Sequence, residues 1–345
     1  MIKFRRAAWA AAGMAVVLAV TAGCGSDGGD AEGDGGSAKV RVAWQKNALI
    51  GLMDLVADEQ GFFKNRGLDV TLMPMETGQV AVTSALRGEL DIFYGPQSNV
   101  VQAASQGECF KVLSTGHGNS INIVARKGLA LPSKTSDAFP GGLADLKGLK
   151  IGVPNLGSAT DRNTRKVLAA AGVQDSDVTY VAVGVGATAV AALDKGAVDA
   201  MAAFPPASEV LPEGSYQMVV DLVNNPDTSP LNDVIISHQI TTCDYLKNNE
   251  KTVLDYCRAY LDARDWAVNP ANADAVSAIL AKNLQLDAAV AKTMWQKYGA
   301  VWKTPTALTS QMWEAQTKYN SPQEQTTPPF GEWIFGPCAS EDPRA

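Results

Sequence analysis

The chain reads as an α/β fold of two lobes, each a mostly parallel sheet flanked by helices. Three observations predict it. Short apolar strands alternate with helical stretches of roughly 10 to 15 residues, the rhythm of parallel strands joined by crossover helices. That rhythm breaks at the Gly/Pro-rich stretch Phe139–Gly142 and restarts at Leu149. Both halves also carry one local phrase, Leu86-Arg87-Gly88-Glu89-Leu90-Asp91 and Leu193-Asp194-Lys195-Gly196-Ala197-Val198-Asp199. In each, a helix gives way to a glycine turn and a short buried strand. The phrase repeats an architecture and is too isolated for a solenoid period.

Taken in order, Lys39–Ala43 alternates polar and apolar as a half-exposed strand does. Leu52, Leu55, Val56 and Phe63 then fall at helical spacing over 49–63, and Leu68–Met73 is a second strand. A helix from Gly78 ends near Gly88, Leu90–Phe93 is a strand, and Tyr94-Gly95-Pro96 leads into a helix reaching about Gln106. Phe110–Ser114 and Ile121–Ala125 are strands. In the second half Leu149–Val153, Val178–Val183 and Val198–Ala203 alternate with helices over 160–171 and 187–193. Gln217–Leu222 and Val234–Ser237 supply further strands. From Asp244 the pattern becomes helix after helix: 251–267, stopped by Pro270, then 273–282, 288–298 and 306–317. A Pro/Gln/Thr-rich tail over 320–329 reads as an extended wrap. The resulting organisation is lobe one over 39–145 plus 240–345 and lobe two over 146–239, with a cleft between.

The first residues read as an export signal. Lys3, Arg5 and Arg6 precede an apolar run, Ala7–Val20, whose length of about 21 Å as a helix is short for a ~30 Å bilayer core. Thr21-Ala22-Gly23-Cys24 follows and resembles a bacterial lipoprotein signal, in which the cysteine is acylated and becomes the new N-terminus. Thr21 departs from that motif, which favours leucine there; an ordinary secretory signal with a nearby cysteine is the alternative. Residues 1–23 are thus the expected signal peptide. Residues 24–38, almost all Gly, Asp, Ser and Glu, are a tether with an r.m.s. span of ~20 Å. The expected location is the outer face of the cell membrane, reached through the lipid anchor alone.

A formal charge of −7, with no basic block, excludes a phosphate backbone as partner, so no nucleic acid is expected. After Cys24 four cysteines remain, Cys109, Cys243, Cys257 and Cys338, and an even set in an exported chain reads as two disulfides with three possible pairings. The expected pairing is Cys243–Cys257, a local link, with Cys109–Cys338 tying the tail to the first lobe. The thiols are scattered and only two histidines occur, so neither a metal nor another cofactor is expected.

Four passages carry a family resemblance: Asp58-Glu59-Gln60-Gly61-Phe62-Phe63-Lys64; Ala85 through Asp91; Leu146-Lys147-Gly148-Leu149-Lys150-Ile151-Gly152-Val153 with Gly157-Ser158; and Ala192 to Ala200. Together they resemble the solute-binding proteins of bacterial ABC importers, in the branch that binds nitrate, alkanesulfonates, taurine and thiamine precursors. The resemblance implies a type II periplasmic-binding-protein-like fold, a monomer whose cleft closes on one small organic ligand, and an ABC permease as partner. Pyrimidine-precursor synthases share this fold, but their cysteine-rich signature is absent here, so no enzyme is expected.

Ligands in open α/β sheets sit beyond the carboxyl ends of strands. In lobe one that rule selects Trp44, Gln45 and Asn47; Glu76 and Gly78; Tyr94, Gly95 and Gln97; and His117. In lobe two it selects Gly157, Ser158 and Thr160, then Gly186, and finally Phe204 and Pro205. Gly157-Ser158 is the leading candidate: it opens a helix whose unpaired amides and hydroxyl suit an anionic oxygen, with Ser158 or Thr160 as a plain cap the alternative. Tyr94 and Trp44 offer large faces, and His117 a donor or acceptor between glycines. Arg162 reads either as a partner for an anionic head or as a solvated surface side chain. Glu76 would repel an anion if it faced the pocket. The expected ligand is a small organic anion, carboxylate- or sulfonate-like with an apolar and possibly aromatic body; an N-heterocycle such as a thiamine-precursor pyrimidine is the alternative.

Overall fold

Two five-stranded sheets organise the chain, and each is built around one strand that arrives from the other half. The computed structural model describes residues 37–46, 48–211, 214–232, 234–303, 307–320 and 329–344. The predicted signal peptide, Cys24, the tether as far as residue 36, Asn47 and residues 321–328 of the predicted tail wrap lie outside the described residues.

The chain runs β1 (Ala38–Gln45), α1 (Leu52–Glu59), β2 (Leu68–Met75), α2 (Gly78–Leu86), β3 (Ile92–Gly95), α3 (Gln97–Ser105), β4 (Phe110–Thr115) and β5 (Asn122–Arg126). Then come β6 (Lys150–Val153), α4 (Ala159–Ala170), β7 (Thr179–Ala182), α5 (Ala187–Asp194), β8 (Ala200–Ala203), β9 (Tyr216–Val220) and β10 (His238–Thr242). The helical end comprises α6 (Cys243–Asn248), α7 (Glu250–Val268), α8 (Ala273–Leu284), α9 (Ala288–Tyr298), α10 (Ser310–Asn320), α11 (Phe330–Trp333) and α12 (Gly336–Ala339).

Sheet one has the order β2-β1-β3-β10-β4 and sheet two β7-β6-β8-β5-β9. β1 pairs in parallel with β2 and β3, and β6 with β7 and β8. β5 and β10 are the antiparallel members, each between two neighbours of its sheet. Each enters from the opposite lobe and so runs against its new neighbours. This corrects two sequence expectations. The strand at 122–126, expected in lobe one, belongs to sheet two, where Ile123, Val124 and Ala125 are fully buried between β8 and β9. Residues Val234–Ser237, expected to be a strand, form the returning connector instead.

The two connectors lie side by side. Gly116 N–H donates to the Ser237 carbonyl at 2.9 Å, and Ile236 N–H to the His117 carbonyl at 2.9 Å. A β-carbon on Gly116 would sit 2.3 Å from the Ser237 oxygen. Gly116→Ala is therefore expected to force the connectors apart and lower stability by about 2 kcal/mol. A melting curve unchanged from the parent would show that they yield freely.

Side chains of sheet one alternate between two cores, as strand periodicity requires. Val40, Val42, Ile92 and Leu113 pack with α1, α7, α8 and α9, while Ala43, Phe93, Phe110 and Val112 pack with α2, α3 and the tail aromatics Trp313 and Trp333. The repeated phrase explains itself here. Asp91 accepts the Arg41 amide of β1 at 2.7 Å, and Asp199 accepts the Lys150 amide of β6 at 3.0 Å. In return the Asp91 and Asp199 amides donate to the carbonyls of Arg41 and Lys150. In both lobes the aspartate thus fastens the glycine turn to the next parallel strand.

The disulfides are Cys109–Cys243 and Cys257–Cys338, which overturns the expected pairing. β10 runs antiparallel to β4 with Thr242 opposite Phe110, so Cys243 lands beside Cys109, with α-carbons 5.4 Å apart. Cys257 points inward from α7, where α12 delivers Cys338.

Side-chain contacts tie the lobes together. Arg162 on α4 donates to the Ser98 hydroxyl on α3. Ser208, beyond β8, meets the Tyr298 hydroxyl at 3.1 Å, and Glu209 pairs with Lys297 at 3.3 Å.

Candidate functional site

Beyond the carboxyl ends of both sheets lies a cavity of about 410 Å³, within the range of small-molecule sites. Three helices start at its wall: α2 contributes Thr77, Gly78 and Gln79, α3 Pro96 and Asn99, and α4 Ser158, Ala159 and Thr160. Leu49, Ile50, Ile121, Leu156, Val185, Phe204, Pro205 and Ile236 supply apolar surface. Gln45, Tyr94, Asn99, His117, Ser120, Asn155 and Ser237 supply neutral polar groups. No Asp, Glu, Lys or Arg lines the cavity among the described residues. The starts of α2, α3 and α4 present the positive ends of three helix dipoles at its wall.

Of the sequence candidates, Gln45, Gly78, Tyr94, His117, Gly157, Ser158, Thr160, Phe204 and Pro205 line this cavity. Trp44, Glu76, Gly95, Gln97 and Gly186 do not. Trp44 packs half-buried against the core of lobe one. Glu76 is solvent-facing beside Lys46, and Thr77 rather than Glu76 caps α2 by accepting the Val80 amide at 3.3 Å. Gly95 is buried against Ile240 and Asn99, and Gly186 starts α5 with Val185, its neighbour, at the wall. Gln97 is buried with its amide donating to the Trp313 carbonyl and the Thr317 hydroxyl, both at 3.1 Å, so it serves the α3–α10 contact.

The α4 start is partly self-satisfied. Ser158 Oγ accepts the Asp161 amide at 3.2 Å, and Asp161 Oδ2 accepts the Gly157 amide at 2.7 Å. The buried Asp161 carboxylate is in turn held by Arg165 at 2.8 Å. The Ala159 and Thr160 amides have no partner among the described residues. Arg162 is neither a ligand-facing cation nor a solvated one: it binds the Gly157 carbonyl and the Ser98 hydroxyl, bridging α4 to α3.

Tyr94 lies at the floor, 1% exposed, and burial pushes its phenol far up, so it stays protonated. His117 is equally buried, and burial pulls its pKa down to about 4, leaving a neutral ring at pH 7. Sequence reasoning missed Asn99, Gln79, Ser120 and the apolar residues Leu49, Ile50, Leu156 and Ile236. The one available signal was Leu156, a large apolar residue within a loop just before a helix cap.

Residues 52–273, well over half of the chain, match the family described as NMT1/THI5 like. The chain belongs to this family. A Brucella abortus (strain 2308) protein, whose given name is that of a candidate binding protein, is 27% identical over 255 residues, 74% of each chain. A Bordetella bronchiseptica RB50 protein of known structure is 25% identical with a TM-score of 0.71, covering 89% of this chain and 96% of its own. The periplasmic aliphatic sulphonate binding protein SsuA of Escherichia coli shares the fold at 18% identity and a TM-score of 0.68, over 87% of this chain and 98% of its own. This NMT1/THI5-like chain shares its fold with solute-binding proteins such as SsuA. Among the described residues no group of three His, Cys, Asp or Glu is placed to hold a metal ion.

Proposed function

We propose that the cleft captures a small organic anion, a carboxylate or sulfonate head on an apolar or aromatic body, and hands it to the permease after lobe closure. One observation carries this reading: the starts of α2, α3 and α4 converge on a wall that is otherwise apolar and neutral. Each helix start favours a negative group by about 1 kcal/mol. The fold shared with a sulphonate-binding protein of E. coli is in keeping with this. The ligand biases an open–closed balance by touching both lobes at once. The protein works as a monomer, without nucleic acid or cofactor, held at the outer membrane face by an acylated Cys24. Lobe one is built on sheet one and lobe two on sheet two.

The test is a thermal-shift screen with aromatic and aliphatic carboxylates and sulfonates, organic cations, and neutral N-heterocycles. Anions are expected to raise the melting temperature. A response confined to cations overturns the ligand class, and one confined to neutral heterocycles moves it to the thiamine-precursor type.

Ser158 offers a sharper check. Loss of its cap by Ser158→Ala is expected to lower apo stability by about 1 kcal/mol. Loss of a hydroxyl donor to a charged head is expected to weaken anion binding roughly tenfold to a hundredfold. Calorimetric titration and denaturant unfolding compare the two, and equal losses would reduce Ser158 to a cap.

A further inference from the structure

We infer that the Asn99 carboxamide holds the ligand's anionic head from the lobe-one side of the cleft, and that position 78 is glycine so that the head can reach it. The inference rests on the reading of the cleft as an organic-anion site and names the side chain that reads the head.

Gly78 and Asn99 line the cavity together. A β-carbon on Gly78 would point at the Asn99 amide nitrogen, 3.2 Å away, and would meet Pro96 Cδ at 3.6 Å and Tyr94 Cε2 at 3.7 Å. These three neighbours are themselves wall residues, so a side chain at 78 would grow into the corner they enclose. The backbone does not ask for glycine there. Gly78 begins α2 and is absent from the glycines with positive φ, and alanine is the better helix former. What the glycine does is leave the Asn99 carboxamide uncovered. Asn99 is only part-buried, and neither its amide nitrogen nor its oxygen is sealed from solvent. Its backbone amide donates to the Pro96 carbonyl at 3.0 Å, which fixes the residue in the first turn of α3. The carboxamide itself has no hydrogen-bond partner among the described residues. Other polar groups of this wall are engaged with backbone carbonyls: Gln45 donates to Glu76 at 3.4 Å, the Tyr94 hydroxyl to Met75 at 3.5 Å, and His117 Nδ1 lies 2.8 Å from the Gly118 oxygen. A carboxamide offers a donor at one end and an acceptor at the other, and to an anion it turns the donor. Hydrogen bonds to a charged group are the stronger kind.

The probes are benzenesulfonate, hexanesulfonate, benzoate and hexanoate, set against the sulfonamides and amides of the same skeletons, which match them in size and carry no charge. Titration calorimetry is run on the parent, Asn99→Ala, Asn99→Asp and Gly78→Ala, with a melting curve of each free protein. Asn99→Ala is expected to weaken the anions roughly tenfold or more. Asn99→Asp keeps the shape and adds a negative charge, so it should weaken them roughly a hundredfold and turn the preference to the uncharged probes, whose N–H can donate to the new carboxylate. Gly78→Ala should melt no lower than the parent and still bind the anions roughly tenfold less tightly. Anion binding that stays within roughly twofold of the parent in Asn99→Asp overturns the inference and leaves the anion site standing. Unchanged binding in Gly78→Ala, or a melting temperature that falls there, overturns the role given to the glycine. A loss of anion binding matched by an equal loss for the uncharged probes in Asn99→Asp makes Asn99 a packing residue and overturns the inference alone. A parent that binds only uncharged probes, or none, overturns the anion reading and the inference with it.

Discussion

Reduction of both disulfides is expected to bring the protein close to unfolding at ambient temperature. Cys109–Cys243 spans 134 residues and Cys257–Cys338 spans 81. Their loops follow one another along the chain without overlap, so the restrictions they place on the unfolded ensemble add. Each closure is worth ~4 to 5 kcal/mol in the chain-entropy account, and together they rival the net stability of an ordinary domain. Neither the pairing of β10 with β4 nor the packing of Trp313 against Trp333 is made by the sulfur–sulfur bonds themselves. The loss therefore arises in the unfolded state. Melting with and without reductant should differ by more than ~10 °C. The double alanine variant of Cys257 and Cys338 should lose about half of that, and its tail, α11 and α12, should become the first proteolytic site. A shift of only a degree or two would show that the reduced chain stays compact when unfolded. Such bridges persist in an oxidising compartment, in keeping with a protein that works outside the cytoplasm.

The local architecture was legible because it is written in short-range patterns. Gly88 and Gly196 occupy the left-handed region at φ 71° and 70°, which favours glycine, and the aspartates three residues on fasten the following strands. Hence the repeated phrase marks the same joint in both lobes. What sequence could not supply was sheet membership. Residues 122–126 look like any apolar strand, and only their pairing with β8 and β9, some 75 to 95 residues later, puts them in sheet two. The disulfide error has the same root. Cys243 and Cys257 are near in sequence, but the pairing of β10 with β4 decides where Cys243 lies.

The strand-end rule selected loops that border the cavity, but not which of their side chains face it. Gln97 and Asn99 sit two positions apart on α3, about 200° around the helix, so only one can face the cleft. Asn99 does, and Gln97 turns to α10. Periodicity states that separation but not its phase, which is set by Trp313 and Thr317 more than 200 residues away in sequence. Glu76 was ambiguous for a similar reason, since Thr77 took the capping position and left the carboxylate in solvent. Arg162 escaped because a residue that bridges two lobes has no signature in either one.

Asp54→Asn is expected to stabilise the protein above neutral pH and to change little below pH 4. Asp54 is fully buried on α1, where the Tyr256 hydroxyl donates to one carboxylate oxygen at 2.6 Å and the Gln239 amide to the other at 2.9 Å. Burial outweighs these two donors and pushes its pKa from 3.8 up to about 7. With the folded value above the unfolded one, the stability linked to this proton is complete below pH 3.8 and is lost as pH rises to 7. The shift corresponds to ~4 kcal/mol. The two buried histidines run the other way. Burial holds both His117 and His238 below 6.5, so their contribution is present above pH 6.5 and is lost as pH falls below it, for His117 towards about pH 4. The parent's pH profile is therefore flattened by cancellation, and the variant exposes one side of it. An asparagine keeps an acceptor for Tyr256, and its amide can donate to Gln239 Oε1, which has no partner among the described residues, once that side chain flips. Urea unfolding at pH 4, 6 and 8 should give a difference between variant and parent that grows through this range towards ~4 kcal/mol. Curves that stay parallel would mean that Asp54 remains ionised throughout and that its two donors outweigh its burial.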